Sequence, residues 1–220
     1  MKYLYVFVFV MLAGCQILSN EDTVDPSDTP INFANLEIGQ HSVYRAFKGD
    51  NHYQEEATFN YLEHTLTVEV VNKTDSGFVF TERVRQIPIN EYHFADTTTY
   101  HVSIADDSLI VSTYNTDYIK SNLFVLSRYR LPLQPITNNE IQLDGIVATS
   151  ENLDGFQIGF LADHKQLGYT YDQLNVMIDW TPTYADGPGH LTAYSQEAGI
   201  VRAFTLNPWT STAIGWDLMQ

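Results

Sequence analysis

Apolar and polar residues alternate along much of the chain, with the period of two that is typical of a strand with one buried face. Leu66, Val68 and Val70 alternate with threonine and glutamate. The turn-forming residues 74–77 follow, and a second β pattern begins at 78–81. This arrangement predicts a β-hairpin.

A second hairpin is predicted around Asp106 and Asp107, which stand between the alternating residues 98–104 and the apolar residues 109–111. Aromatic residues make up 13% of the chain and threonine is frequent, a composition that suits a pleated, half-buried surface. Further strands are predicted at residues 42–48, 141–149, 156–161, 175–180, 191–194 and 200–205.

Strands at this short spacing, without amphipathic helices between them, predict an all-β fold. We expect a single antiparallel β-sandwich or a curved, barrel-like sheet with at most one short helix, formed by residues 33–220. The helix candidate is 117–129, where Ile119, Leu123 and Leu126 can share a stripe, and a strand fits these residues equally well.

The N-terminus has a different pattern: Lys2, an apolar run over residues 3–13, and then a polar, acidic stretch. The run is about half of the roughly 20 residues that a membrane-spanning helix needs, but it suits the apolar region of a signal peptide. It ends in Leu12-Ala13-Gly14-Cys15, which resembles the lipobox of bacterial lipoproteins. The resemblance implies that residues 1–14 are a signal peptide and that the Cys15 sulfur carries a diacylglyceryl anchor with palmitate-type acyl chains.

Cys15 is the only cysteine in the 220 residues, so a lipidated chain has no thiol in its folded part. Disulfides, thiol nucleophiles and cysteine-based zinc sites are therefore excluded. The fold must be held by an ordinary apolar core, for which the rest of the chain is long enough.

Residues 15–32 contain the lipidated cysteine and a polar, acidic segment that is expected to be a disordered tether. Gln16 stands where inner-membrane lipoproteins of proteobacteria-like sorting carry aspartate, which implies the cell outer membrane, with the periplasmic face as the default. Surface display stays an alternative, although the first acidic residue after the cysteine is as late as Glu21.

The net charge of −16 at pH 7 changes the choice of partners. A nucleic-acid partner requires a basic face, so that class is excluded. Ionic attraction to anionic lipid head groups is equally disfavoured, and the membrane is reached through the acyl chains on Cys15. The acidity itself is explained by solubility.

The densest group of candidate catalytic or metal-binding residues lies late in the chain: Asp163, His164, Asp172, Asp179, Asp186, His190 and Asp217. Their spacing matches no HExxH, EF-hand or P-loop pattern, and residues 186–189 are more simply a turn. Ser195 lacks the GxSxG elbow of a serine nucleophile. We expect no metal, no cofactor and no catalytic residue; whether the protein is an enzyme stays open, with a non-enzymatic role favoured.

Three tryptophans are candidate binding residues: Trp180, Trp209 and Trp216. Their flat rings can line a groove for a sugar or a peptide, since they offer amphipathic contact area. Packing within the core and corners of the sheet is the favoured alternative.

Residues 36–45 (LEIGQHSVYR) and 190–202 (HLTAYSQEAGIVR) carry a family resemblance. They resemble the opening G-x-x-W/V-x-Y-R strand and the closing Y-x-x-x-x-G-I/L-V-R segment of a loose group of Bacteroidetes-type lipoproteins, although Ser42-Val43 stands where an aromatic is common. The resemblance implies an all-β, secreted, lipid-anchored domain of generally unassigned activity. In the closing segment, Gly199 can make a turn and the Arg202 guanidinium can reach a carboxylate.

The leading hypothesis is a lipid-anchored envelope protein that binds a protein or glycan partner without catalysis. The alternative is a periplasmic carrier or chaperone that holds an apolar ligand in a curved sheet, which requires a closed, dry cavity. An envelope hydrolase is less favoured, because it requires Asp186, His190 and another carboxylate to converge in one cleft.

Overall fold

The computed structural model describes residues 29–50, 58–85, 96–113, 121–124, 128–149, 155–179, 189–207 and 212–219. The regular secondary structure of these residues consists of β-strands, and none of them forms a helix long and apolar enough to cross a membrane. The strands are β1 (His41–Asp50), β2 (Thr58–Thr74), β3 (Gly77–Arg85), β4 (Thr97–Ala105), β5 (Ser108–Thr113), β6 (Arg128–Pro132), β7 (Gln142–Asp144), β8 (Val147–Thr149), β9 (Phe156–Gln166), β10 (Tyr169–Asp179), β11 (Gly189–Ser195), β12 (Gly199–Asn207) and β13 (Thr212–Met219). The predicted signal peptide, Cys15 and most of the predicted tether lie outside the described residues and stay predictions.

Eleven of these strands form one antiparallel sheet in the order β6-β5-β4-β3-β2-β1-β13-β12-β11-β10-β9, and β7 and β8 form a separate hairpin. Most neighbours in the sheet are consecutive in the chain, as is usual for a meander. The pairing of β1 with β13 joins the N-terminal and C-terminal halves. The sheet curls into a half-barrel. The all-β prediction is confirmed, in its curved, barrel-like form.

Both predicted hairpins are confirmed, and the turn residues explain why. Asp106 and Asp107 connect β4 to β5 with φ angles of 50° and 52°. Two central residues with positive φ define the type I′ turn that matches the twist of a hairpin, and aspartate tolerates this region better than most residues. The other hairpin pairs β2 with β3 and turns at Asp75 and Ser76.

Two predicted elements differ from the structure. The strand predicted at 141–149 is divided into β7 and β8, because Gly145 (φ 58°) makes a two-residue turn. Glycine at the first central position is typical of a type II′ turn. The predicted helix at 117–129 is not formed at 121–124, and β6 begins at Arg128; the rest of that segment lies outside the described residues.

Different segments of the chain cover the inner face of the sheet and part of its outer face. We call the face that carries Tyr44 the inner face and the face that carries Phe47 the outer face, since residues three apart on a strand point to opposite sides. Apolar residues from outside the sheet pack on the inner face, among them Ile31, Phe33, Leu123 and Phe124. Ile31, in the last part of the predicted tether, is 3% exposed.

The β7–β8 hairpin covers the outer face of the C-terminal half. Its turn residue Ile146 packs against Gly49 of β1, where a Cβ atom would lie 2.4 Å from Ile146 Cδ1. Glycine therefore permits the close approach of the hairpin to the sheet. This contact fixes one side of the candidate site.

Candidate functional site

Trp216 is the one candidate tryptophan among the described residues, and its side chain is 1% exposed. It stands opposite Ala46 of β1 and Ala203 of β12, whose small side chains leave room for the indole. This position favours core packing for Trp216. Trp180 and Trp209 lie outside the described residues, as does Cys15, and their roles stay predictions.

The late acidic and histidine residues are scattered. The exposed members are Asp163 and Asp172, and the buried members are His164, His190 and Asp217. Within the described ranges, no three His, Cys, Asp or Glu side chains are close enough together to hold a metal ion. Asp186 lies outside these ranges.

His190 is a buried histidine of β11, with 6% of its surface exposed. Its Nδ1 atom lies 3.1 Å from Thr205 Oγ1 on β12. Burial lowers the pKa of His190 to about 4, and the carboxylate of Asp179 offsets only part of that effect. The neutral ring is held within the sheet by a hydroxyl group, as is typical of a core histidine.

We expect the protein to lose stability as the pH falls from 6.5 to about 4, because the unfolded chain then takes up a proton that native His190 does not. The slope from one such group is at most about 1.4 kcal/mol per pH unit. Urea unfolding at a series of pH values measures it. His190→Gln should lack this component, whereas His101→Gln, on β4 with its ring beside the β2–β3 turn, should retain it; equal slopes in the two variants would contradict the assignment.

Arg202 and Asp217 form a buried ion pair on the outer face, in directly opposite positions of β12 and β13. Their side chains are 5% and 0% exposed. Arg202 Nε donates to Asp217 Oδ1 at 2.6 Å, and Arg202 Nη2 donates to Oδ2 at 2.5 Å, so the contact is bidentate. The expectation that the Arg202 guanidinium reaches a carboxylate is confirmed.

Two further groups complete the ion pair. Tyr61 donates its hydroxyl proton to Asp217 Oδ2 at 2.7 Å. Burial, and then the nearby Asp217 carboxylate, raise the pKa of Tyr61, so the phenol keeps its proton and acts as a donor. Arg202 Nη1 donates to the carbonyl oxygen of Gly145 at 2.7 Å, which ties the turn of the β7–β8 hairpin to the sheet.

The rings of two phenylalanines lie against the guanidinium of Arg202. Its Cζ atom is 5.0 Å from the ring centroid of Phe47 and 5.3 Å from that of Phe59. Both distances fall within the range of cation–π attraction. The charge of Arg202 is therefore compensated by Asp217 and covered by aromatic rings.

A groove of about 550 Å³ opens above this ion pair. Residues 140–145, which include β7, form one wall, and residues 161–167 at the end of β9 form the other. Phe59, Tyr61 and Arg202 contribute to the groove between these walls. The volume falls within the range of about 300–1,000 Å³ that is typical of ligand sites.

The β9 wall is also tied to β12 and β13. Gln166 Nε2 donates to the carbonyl oxygens of Val201 at 2.9 Å and Leu218 at 3.3 Å, next to the two members of the ion pair. Gln166 Oε1 lies 3.3 Å from His164 Nε2. Arg202 therefore fixes one wall and Gln166 fixes the other, at neighbouring positions of β12 and β13; we call these contacts together the polar network beneath the groove.

His164 of β9 and Tyr171 of β10 have stacked rings whose pKa values are both shifted toward the uncharged form. Burial and the charge of Arg202 lower the pKa of His164, whose ring stacks on that of Tyr171 with centroids 6.4 Å apart. Burial, with the Asp217 carboxylate as the next cause, raises the pKa of Tyr171 to about 12.

The ion pair is engaged with protein groups and therefore has a structural role. Asp217 accepts three donated hydrogen bonds, and Arg202 donates to Asp217 and to Gly145. A ligand in the groove instead meets the backbone of the walls and the exposed side chains of Glu140, Asp144, Asp163 and Lys165.

The inner face carries a second buried acid, Glu82 of β3, which is 0% exposed. Its carboxylate accepts from Ser121 Oγ at 2.7 Å and from the backbone N–H of Asn122 at 2.6 Å. These bonds hold residues 121–124 so that Leu123 and Phe124 fill the inner face. The space that remains there is about 10 Å³, which is about the volume that one water molecule needs.

Comparisons with known proteins add little to this geometry. No protein-family model matches the chain, and no curated protein matches it. The chain is similar to a solved structure from Bacteroides fragilis assigned as an exported protein with a YmcC-like fold, with 12% identity, a TM-score of 0.35, and coverage of 82% of this chain and 95% of that one. It is also similar to a domain from Vibrio parahaemolyticus assigned as an outer-membrane lipoprotein-sorting protein, with 10% identity, a TM-score of 0.23, and coverage of 82% and 83%. Likenesses at this level carry no argument about function.

Proposed function

We propose that the protein is a lipid-anchored protein of the cell outer membrane, and that its curled sheet binds a protein or glycan partner without catalysis. The groove between residues 140–145 and 161–167 is the binding site. The observation that carries this proposal is the polar network beneath the groove, which fixes both walls before any ligand arrives. A preformed site lowers the ordering cost of binding.

The chemistry of the groove supports binding over hydrolysis. A general acid or base needs a proton-exchanging group in reach of the substrate, with a pKa near the working pH. Asp217 is buried beneath three hydrogen bonds, and burial lowers the pKa of His164. The groove has fixed shape and polar walls, which suit recognition.

The packing of the inner face favours this proposal over the carrier. A carrier needs an apolar cavity for its ligand. Within the described residues, Leu123 and Phe124 take up the apolar space of the inner face and leave about 10 Å³. The outer-face groove has more than fifty times that volume.

Lipidation at Cys15 is tested by metabolic labelling of cells with a fatty-acid analogue. The wild-type chain should carry the label, and Cys15→Ala should lose it, because the thioether is the point of attachment. Ser19→Ala, four residues later, should keep the label and serves as the matched control. An unlabelled wild type, or a labelled Cys15→Ala, would refute the anchor.

Binding at the groove is tested by photo-crosslinking in cells. A photoreactive amino acid is placed at Asp144 or Asp163, one on each wall, and at Asp75 on the β2–β3 turn as a control. The two groove positions should capture the same molecule, protein or glycan, in repeated experiments. If the products from the groove match those from Asp75, or do not recur, the groove is not the binding site.

A further inference from the structure

The open edge of β9 can accept another strand. β9 is the last strand of the sheet, so half of its backbone groups point away from β10. The groups of Phe160 are already used: its carbonyl accepts from the N–H of Ile141 at 2.7 Å, and its N–H donates to the carbonyl of Asn139 at 3.1 Å. Residues 139–141 therefore begin a parallel ladder on this edge.

The ladder stops one step later, at Ala162. Ala162 lies two residues after Phe160, so its N–H and C=O leave β9 from the same edge. A continued ladder would join them to Ile141 and Leu143, but β7 is not paired with β9, and no backbone hydrogen bond joins Ala162 to Ile141 among the described residues. The chain enters β7 instead, and Ala162 is exposed in the wall of the groove.

The opposite wall also presents a strand edge. Asp144 pairs with Val147 at the close of the β7–β8 hairpin, so the backbone groups of Asp144 point toward β8. The backbone groups of Leu143 point to the opposite edge of β7. This is the side on which the N–H of Ile141 donates to Phe160 of β9. Ala162 and Leu143 thus stand on opposite walls of the groove, each on an edge that no described strand completes.

We propose that the groove binds an extended peptide segment of a protein partner, which adds a strand between β9 and β7. This inference rests on the proposed function and names the partner class for the same site. In strand addition, main-chain hydrogen bonds supply affinity and pockets for alternate side chains supply specificity. The part of β9 that lines the groove, Leu161–Gln166, offers a regular edge at Ala162, before the left-handed φ of Asp163 (49°), so the added strand is short.

The charge of the walls selects the kind of peptide. Glu140, Asp144 and Asp163 are exposed there, with Lys165 as the exposed cation, while the charge of Arg202 is compensated by Asp217. A peptide that carries lysine or arginine complements this surface. The acidic residues of the chain itself before position 29 do not, so the occupant is a different protein.

The test begins with selection of displayed random peptides of about seven residues on the full chain held in detergent micelles. We expect enrichment of sequences with β-branched residues and lysine or arginine. The selected peptide is then synthesised and titrated against the protein. Hydrogen exchange should show added protection at the amides of Ala162 and Leu143 when the peptide is bound.

Ala162→Pro removes the N–H that faces the groove and leaves the β9–β10 ladder intact, because that N–H points away from β10. We expect at least a roughly tenfold weaker affinity for the selected peptide, the effect of one lost main-chain hydrogen bond with local crowding. Ala162→Val also enlarges the side chain but keeps the N–H, so it should lose less affinity than Ala162→Pro. The hydrogen-exchange result decides the matter if the proline variant does not fold.

The outcomes separate the inference from the function on which it rests. Equal peptide affinity in the proline and valine variants, or no added protection at Ala162, overturns strand addition. If no peptide is selected and cell-wall glycan fragments bind in the groove, strand addition is overturned. The proposed function, binding of a partner at the groove, then stands. Failure of both peptides and glycans to bind, together with no crosslink at Asp144 or Asp163, overturns the proposed function as well.

Discussion

Replacement of Asp217 by alanine is expected to destabilise the protein by about 3–5 kcal/mol, the cost that is typical when one partner of a buried ion pair is removed. The reason is the guanidinium of Arg202, whose side chain is 5% exposed. Without the carboxylate it would remain buried as an uncompensated charge, and the Tyr61 hydroxyl would lose its acceptor. Chemical denaturation of the full chain in detergent measures the loss.

A double variant distinguishes the attraction between Arg202 and Asp217 from the cost of burying one charge without its partner. Arg202→Met alone should be nearly as damaging as Asp217→Ala, since it strands the buried carboxylate. Arg202→Met combined with Asp217→Leu should recover most of the loss, because apolar residues of similar volume replace both charges. If the double variant loses as much stability as the two single variants together, the coupling between the side chains is zero and the loss does not come from an uncompensated buried charge.

An exposed pair provides the matched control. Arg130 Nη2 lies 3.5 Å from Asp106 Oδ2, with side chains that are 59% and 86% exposed. Asp106→Asn removes the charge but suits the same turn, because asparagine also tolerates positive φ. The expected loss is about 0–1 kcal/mol. A loss as large as that of Asp217→Ala would show that burial is not the source of the difference.

Arg202→Met should also loosen the groove before it unfolds the chain. The guanidinium holds the turn at Gly145, which lies 57 residues earlier in the chain. Without that bond, amide exchange at Asp144, which pairs with Val147 across the hairpin, is expected to speed up relative to the wild type more than at Gln166, whose wall is held by its own side chain. The wall that moves is therefore the one that Arg202 fixes.

Features that depend on neighbouring residues were predictable from the sequence. The alternation of Leu66, Val68 and Val70 with polar residues marks one face of a single strand, and Asp106-Asp107 determines a turn by its own backbone preferences. Both were confirmed because a hairpin needs only short-range information. The turn at Gly145 was missed within the predicted strand at 141–149, although Asp-Gly is itself a turn signal.

Features that depend on distant pairing were not predictable. The closing arginine could be expected to find a carboxylate, but Asp217 was selected by the register of β12 and β13. The groove arises because Arg202 and Gln166 attach separate segments to the same place in the sheet. Neither contact leaves a local signal in the spacing of residues, since side chains on a strand repeat every two positions whatever their partners are.

The segment at 121–124 shows how one buried acid can override a helical pattern. Leu123 was one of the residues that favoured a helix, and it is 3% exposed in the structure, on a turn. Glu82 supplies the acceptors that a helix would otherwise supply, since it receives hydrogen bonds from Ser121 and Asn122. The conformation of this segment was thus decided by a residue 39 positions away from Ser121.

Glu82→Ala is expected to destabilise the protein by on the order of 3 kcal/mol, because it removes the carboxylate that accepts the hydrogen bonds from the Ser121 hydroxyl and the Asn122 backbone N–H, at about 1–3 kcal/mol for each bond lost. The variant should also free Leu123 and Phe124 from the inner face. Binding of an environment-sensitive apolar dye should therefore increase, since space that was about 10 Å³ would open. Unfolding experiments at constant pH measure the loss, and Glu69→Gln, on the half-exposed surface of β2, is the control.

The pH dependence of Glu82 should run in the direction opposite to that of His190. Burial raises the pKa of Glu82 above 4.5, while the hydrogen bonds from Ser121 and Asn122 offset part of the shift. Between pH 4.5 and the raised pKa, native Glu82 therefore keeps a proton that the unfolded chain has released. Stability falls as the pH rises through this range. Glu82→Gln stays neutral and should lack this decline, whereas His190→Gln should lack the loss of stability toward about pH 4. If the free energy of unfolding of Glu82→Gln changes with pH above 4.5 in the same way as that of the wild type, the native carboxylate is already ionised and held by its hydrogen-bond donors.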